Sequence, residues 1–315
     1  MLPLILLVLA RAQAPIVEPH SPSVASESRD SHWKTTAPTL ELRRRTAEEL
    51  TRAVDSASAA SAEVGERLTL LLTAAGSAVD SLGTRSENAV RIKRALAAAN
   101  DAQQTQSAKA AFASLKRELD RVSRDLAFTP LLESPRPVGF PAATVVGEIE
   151  VLDYPAYRMA RAPLPPQKSG GDNNAFWKLF NHIKSHDIPM TAPVEMNWSA
   201  GEGRSTASGR GFESMAFLYV STEVGRTGPD GEVVVLDVPA ATVVSLGLRG
   251  SSSNQRVQAE RERLHAWLTS QPERFEIVGP PRMMGWNSPM VSDAKRYWEV
   301  QFPVRILPDQ EKRTQ

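Results

Sequence analysis

The chain contains no cysteine. Disulfides, thiolate metal sites and iron–sulfur clusters are therefore excluded. Histidine is scarce as well: His20, His32, His182, His186 and His265 are the five in 315 residues, and any imidazole chemistry must draw on them. Excess charge of one sign is missing too, since 37 Lys+Arg face 36 Asp+Glu and no block of like charge interrupts the chain. No strong field thus recruits nucleic acid or a charged membrane surface. Long apolar runs are absent; the stretch Leu2–Ala10 is far too short to span a bilayer as a helix. Enzymatic signatures are lacking: there is no Gly-x-Ser-x-Gly, no phosphate-cradling glycine loop and no cysteine nucleophile. Glu148 and Glu195 have no acid–base partner nearby in the sequence, so we expect a binding protein rather than an enzyme.

What is present divides the chain into segments. The apolar start followed by small-x-small sites at Ala10–Ala12 and Ala12–Ala14 reads as a signal peptide over residues 1–14, with export to a periplasm or medium as the expectation and organelle targeting as the alternative. Residues 15–39, rich in Ser, Pro and Glu, read as a disordered linker. Over 40–127 the pattern is helical. Leu50, Val54, Ala57, Ser61, Val64, Leu68, Leu71, Ala75, Ala78 and Leu82 fall in steps of three and four along one stripe that stops at Gly83, and Phe112, Leu115, Leu119, Val122 and Leu126 repeat it. These stripes predict a helical hairpin, with self-association as a way to cover small apolar faces. Pro130, Pro135, Pro137 and Pro141 then mark a junction over 128–142.

From 143 to 307 the texture is α+β: extended segments surround two helices, Asn173–Ser185 and Asn254–Ser270, and residues 308–315 form a tail. An internal repeat organises this region. Val151-Leu-Asp-Tyr-Pro-Ala156 recurs as Val235-Leu-Asp-Val-Pro-Ala240, and each copy leads into an extended segment, a loop, a helix and a proline turn, Thr191–Val194 or Asn287–Met290. Two copies of one unit predict a pseudo-twofold domain with a shared cleft.

The segments Val151–Arg158, Ala175–Ile183, Pro189–Val194, Gly285–Met290 and Tyr297–Val300 resemble, in order and spacing, the motifs of the SOUL haem-binding family over about residues 128–304. The resemblance implies a distorted β-barrel flanked by two helices, and haem or another porphyrin held in an apolar cleft, for carriage or buffering. Asp153 stands where some members have an axial histidine, which implies weak iron ligation at most. Asp237 holds the same place in the second repeat, so a structural role at both sites is the plainer reading.

On the first helix Phe176, Phe180, Ile183 and Leu179 share a face, with Trp177 and His186 on its flanks and His182 toward the polar side. Phe176, Trp177, Phe180, His182, Ile183 and Trp286 are the expected contacts for a tetrapyrrole, weighed against ordinary core packing of the apolar face. His182 and His186 have the i, i+4 spacing of metal-binding helices, but no third ligand accompanies them, so no metal site is expected. Arg158 and Arg261 are weaker suggestions for pairing with propionates. A hydrolase on an effector-binding-like fold, or a partner-binding module working through 40–127, are the alternative functions.

Overall fold

The computed structural model describes residues 37–164, 171–198 and 211–308, with the side chains of 171–173 left aside. The expected signal peptide, nearly all of the 15–39 linker, the loop around 199–210 and almost the whole 308–315 tail lie outside the described residues, as do His20 and His32. No helix among the described residues is long and apolar enough to cross a membrane.

The helical region is a four-helix bundle rather than a hairpin: α1 (Leu40–Ala59), α2 (Val64–Leu82), α3 (Glu87–Thr105) and α4 (Ala108–Leu126). The long stripe belongs to two helices. The chain turns extended at Ala60, Ser61 is exposed in the break, and Val64 restarts the pattern. Side-chain oxygens of Thr39, Ser86 and Ser107 accept the free N–H groups of Leu42, Ala89 and Ala110 at three helix starts. Gly83 ends α2 with φ of 80°, a left-handed conformation that suits glycine. Leu50, Leu71, Ile92, Leu115 and Leu119 meet in a single core, so the stripes that suggested a second chain cover one another.

The second region has ten strands: β1 (Ile149–Tyr154), β2 (Tyr157–Pro163), β3 (Val194–Trp198), β4 (Phe212–Leu218), β5 (Gly228–Asp230), β6 (Val233–Val238), β7 (Ala241–Arg249), β8 (Phe275–Ile277), β9 (Arg282–Gly285) and β10 (Tyr297–Ile306). The pairing order is β1-β7-β10-β9-β3-β4-β2-β6-β5, with β8 also on β10, and every one of these strand pairs is antiparallel. The expected barrel is not formed. Closure needs β1 to pair with β5, but among the described residues β1 pairs only with β7 and three-residue β5 only with β6.

The repeat governs how the sheet is built. In register, β1 pairs with β7 and β6 with β2, so each copy of the repeated strand lies on the strand that follows the other copy. Asp153 sits opposite Thr242 and accepts its hydroxyl at 2.8 Å; Asp237 sits opposite Arg158 and accepts its guanidinium at 2.7 and 2.9 Å. These are equivalent pairs in the two halves, and they give both aspartates a cross-strand structural role.

Alternation along the strands creates two faces. Ala160, Phe217, Val244, Val300 and Phe302 point to the face covered by α5 (Gly171–Ser185) and α6 (Asn254–Thr269), through Leu179 and Ile183 of the first and Val257 and Leu264 of the second. Met159, Leu218, Val243, Met284 and Tyr297 point the other way. The proline-rich junction lies on that second face. Phe140 meets the rings of Tyr154 and Tyr157 edge-on, Phe128 stacks on Tyr297, and Val138 and Ala192 N–H groups bond Val220 and Pro135 carbonyls.

The bundle and the sheet belong to one compact unit. Polar joints connect them, two of which involve Glu148 and Asp125. Glu148, just before β1, accepts Ser86 Oγ at 2.6 Å, Glu87 N–H at 2.8 Å and Asn88 Nδ2 at 2.8 Å, so a carboxylate from the sheet caps the start of α3. Asp125 of α4 is clamped between Arg91 at 2.8 Å and Arg249 of β7 at 2.6 Å.

Candidate functional site

Helix α5 ends where Asp187 adopts φ of 54°, and Ile188 N–H returns to the Ile183 carbonyl at 2.8 Å. This six-to-one closure satisfies a carbonyl that the helix would leave bare, and buried Ile188 seals it on the apolar side. The closure fixes the rotation of the last two turns. Leu179 and Ile183 go into the core, and Phe176 and Phe180 lie half-buried at its margin. Their rings stack at 6.1 Å with 12° between planes, and Trp177 stands nearly perpendicular to both at 5.6 Å. Trp177 is 46 % exposed, so the three rings form an aromatic ledge open on one side.

His182 is not on an exposed polar flank, as its helical position suggests. It is 7 % exposed because Tyr219, just after β4, and Asp230 of β5 cover it. Its Nδ1 lies 2.6 Å from Asp230 Oδ2 and its Nε2 2.7 Å from the Tyr219 hydroxyl. Burial pushes the Tyr219 phenol up to about 12 against the pull of Arg158. His186 stacks obliquely 4.7 Å from His182 and is half exposed.

Trp286 is not brought to this helix. It is 2 % exposed on the second face and donates its indole N–H to Glu299 at 3.1 Å. Glu299 also accepts Thr144 N–H at 2.7 Å, the Tyr297 hydroxyl at 2.9 Å and Gln301 Nε2 at 3.1 Å. Burial raises the Glu299 pKa despite these donors. Next to it, Arg282 donates to Gln301 at 2.9 Å, to the Tyr157 hydroxyl at 2.7 Å and to Glu195 at 3.2 Å. Glu195 and Glu148, isolated in the sequence, thus both have partners. Arg282 Nη2 and, on the same face, Ser214 Oγ have no hydrogen-bond partner among the described residues. Sequence reasoning missed this network; the one available signal was the alternation of polar with apolar residues in Tyr297–Phe302, which places Glu299 and Gln301 together on one face.

The two arginines considered for propionates are placed differently. Arg158 is held by Asp237 and by the carbonyls of Val224 and Gly225 at 3.1 and 2.9 Å. The guanidinium of Arg261 lies 5.3 Å from the centre of the Trp198 ring. Neither is engaged with the aromatic ledge.

Residues 141–303 match the family described as SOUL heme-binding protein. No curated protein sequence matches the chain. Among solved structures the chain is similar to the EcmrR C-terminal domain, at 14 % identity and a TM-score of 0.39 over 50 % of this chain and 97 % of that one. It is similar to SAV2435 bound to tetraphenylphosphonium, at 12 % identity and a TM-score of 0.33 over 50 % and 94 % of the two chains. A third similar structure is a hydrolase from Listeria innocua, at 12 % identity and a TM-score of 0.34 over 52 % and 94 %.

Proposed function

Because the chain belongs to the SOUL heme-binding protein family, we propose that it binds a tetrapyrrole, haem or a related porphyrin, on the aromatic ledge of α5 and serves in its carriage or buffering. The observation that carries this reading is the open side of the Phe176–Trp177–Phe180 group, where a half-exposed indole stands against two rings anchored in the core. A flat macrocycle gains there by ring contact and by removing apolar surface from water. Ile183 supports the ledge from inside the core, and His182 supports it from the hydrogen-bonded chain to Asp230 and Tyr219. Iron of a ledge-bound haem would have to displace Asp230 or Tyr219 from His182, which supports weak iron ligation at most. The protein's own contribution is apolar contact, orientation and exclusion of water.

Titration of the full chain with haem tests the reading: a saturable Soret shift is expected. Covering the exposed half of Trp177 is worth ~1–1.5 kcal/mol, so Trp177→Ala weakens binding roughly tenfold. Trp286→Phe, on the other face, leaves affinity unchanged if the ledge is the site. Equal affinity of Trp177→Ala and the parent sinks the ledge as the binding surface.

A second reading, hydrolysis on the opposite face, is favoured by Arg282 Nη2, a buried donor close to Glu195 and Tyr157 and without a hydrogen-bond partner among the described residues. Turnover of small esters that Glu195→Gln abolishes would select it.

A further inference from the structure

We propose that His182, His186 and Asp230 form a binding site for a zinc-class divalent cation, independent of the tetrapyrrole reading. The i, i+4 histidine pair lacked a third ligand in the sequence; β5 brings Asp230 to it. The three ligand atoms, one from each side chain, all lie within 4.8 Å of one another. His186 Nε2 is 3.6 Å from Asp230 Oδ2. Two ligands on a tetrahedral zinc with bonds of about 2.0–2.1 Å stand roughly 3.3 Å apart, so this pair is nearly at co-ligand spacing.

The remaining nitrogens are already oriented. His186 Nδ1 donates to the His182 carbonyl at 2.9 Å, so in the neutral ring Nε2, 3.6 Å from Asp230, carries the lone pair. A lone pair facing a carboxylate without a cation between them is electrostatically unfavourable. His182 Nε2 meets the Tyr219 hydroxyl at 2.7 Å, the outer contact that fixes a ligating imidazole. Without metal, the short contact of 2.6 Å between His182 Nδ1 and Asp230 requires a proton on Nδ1. With metal on Nδ1, the neutral ring carries its one proton on Nε2 and donates it to Tyr219 Oη. The contact to Asp230 then opens by less than ~1 Å to co-ligand spacing.

The chemistry of the set selects the ion. Two imidazoles and one carboxylate suit zinc and its first-row neighbours better than calcium or magnesium, which prefer oxygen ligands. His182 is 5 % exposed at its side chain, while His186 and Asp230 are 50 % and 49 % exposed, so the ion has both a rigid inner ligand and an open side for entry and for water as a fourth ligand. Bound metal would tie the end of α5 to the β5–β6 hairpin, alongside the Lys178–Glu232 ion pair.

The test is calorimetric titration of the chelator-stripped full chain with ZnCl2. One equivalent is expected to bind saturably, and Tm is expected to rise with zinc. His186→Ala and Asp230→Asn change half-exposed residues and should keep the fold, as circular dichroism would check; each should weaken zinc binding at least tenfold and remove the Tm response. His265→Ala, on α6, should bind as the parent does. Absent saturable binding, or unchanged affinity in either site variant, would overturn the proposal. Haem binding that fails while zinc binding persists would leave it standing.

Discussion

Glu150 offers a direct reading of how burial and charge are balanced where the bundle meets the sheet. It lies on the second face of β1, accepts Val145 N–H at 2.8 Å, and shares its surroundings with Glu148, Glu299 and Arg43. Burial, with Glu148 and Glu299 adding repulsion against the Val145 bond and Arg43, raises its pKa from 4.5 to about 7. A rise of that size is roughly 3 kcal/mol of preference for the neutral carboxyl. The sign follows from proton counting. Between the two values the folded chain holds a proton that the unfolded chain has lost, so stability falls as pH rises. The contribution is complete below pH 4.5, declines through pH 7 and is gone above it. Glu150→Gln is neutral at every pH and can still accept from Val145. It should match the parent near pH 4.5 and exceed it by up to ~3 kcal/mol at pH 8, a Tm difference of about 6–12 °C. Urea unfolding of both proteins across this range measures the difference while cancelling other titrating groups. A gap of the same size at both ends, or a variant less stable at pH 8, would refute the account.

Other substitutions probe separate parts. Leu71→Ala, at the fully buried centre of the bundle, should cost about 2–5 kcal/mol in urea unfolding. Glu148→Ala strands the donors of Ser86, Glu87 and Asn88 and should cost roughly 2–4 kcal/mol, with faster amide exchange at the start of α3; unchanged exchange there would deny the cap. Trp177→Ala should leave the unfolding midpoint within about 0.5 kcal/mol of the parent while weakening haem binding. The haem complex of the parent should lack the low-spin spectrum of bis-histidine ligation, since haem iron would have to displace Asp230 or Tyr219 from His182.

The sequence made much of this visible because periodicity reports burial. The residues on the two helical stripes, apart from Ser61 in the break and partly covered Val64, are buried in one core, and Val233–Val238 is a strand with the expected ends. The two copies of the repeat lie in strands that pair crosswise, each with the strand after the other copy. Local pattern could not show how the edges end, so closure of the sheet was misjudged. The break at Ala60 was hidden because small residues continue the stripe through it. His182 read as polar-sided because Asp230 and Tyr219, which enclose it, are 48 and 37 residues away along the chain. Trp286 reads from its motif as a tetrapyrrole contact, but which face its side chain joins depends on strand register, and a one-residue shift reverses that.

The crosswise pairing of the two repeats also bears on the order in which the chain acquires structure. Each of β1 and β2 finds a partner in the second half: Ile149 meets Leu246, and Tyr157 meets Val238. β1 therefore has no strand to join until β7 has been made, although β2, β4 and β3 can pair within the first half, whereas α1–α4 need only one another for their core. During synthesis the bundle can condense early and wait, with Glu87 and Asn88 N–H groups bare until Glu148 arrives. A long loop must close before β1 gains its place on β7, which slows that pairing relative to the bundle. Pulsed hydrogen exchange during refolding should find the α2 and α4 amides protected before those of β1 and β7, and simultaneous protection would mean that the two regions condense as one.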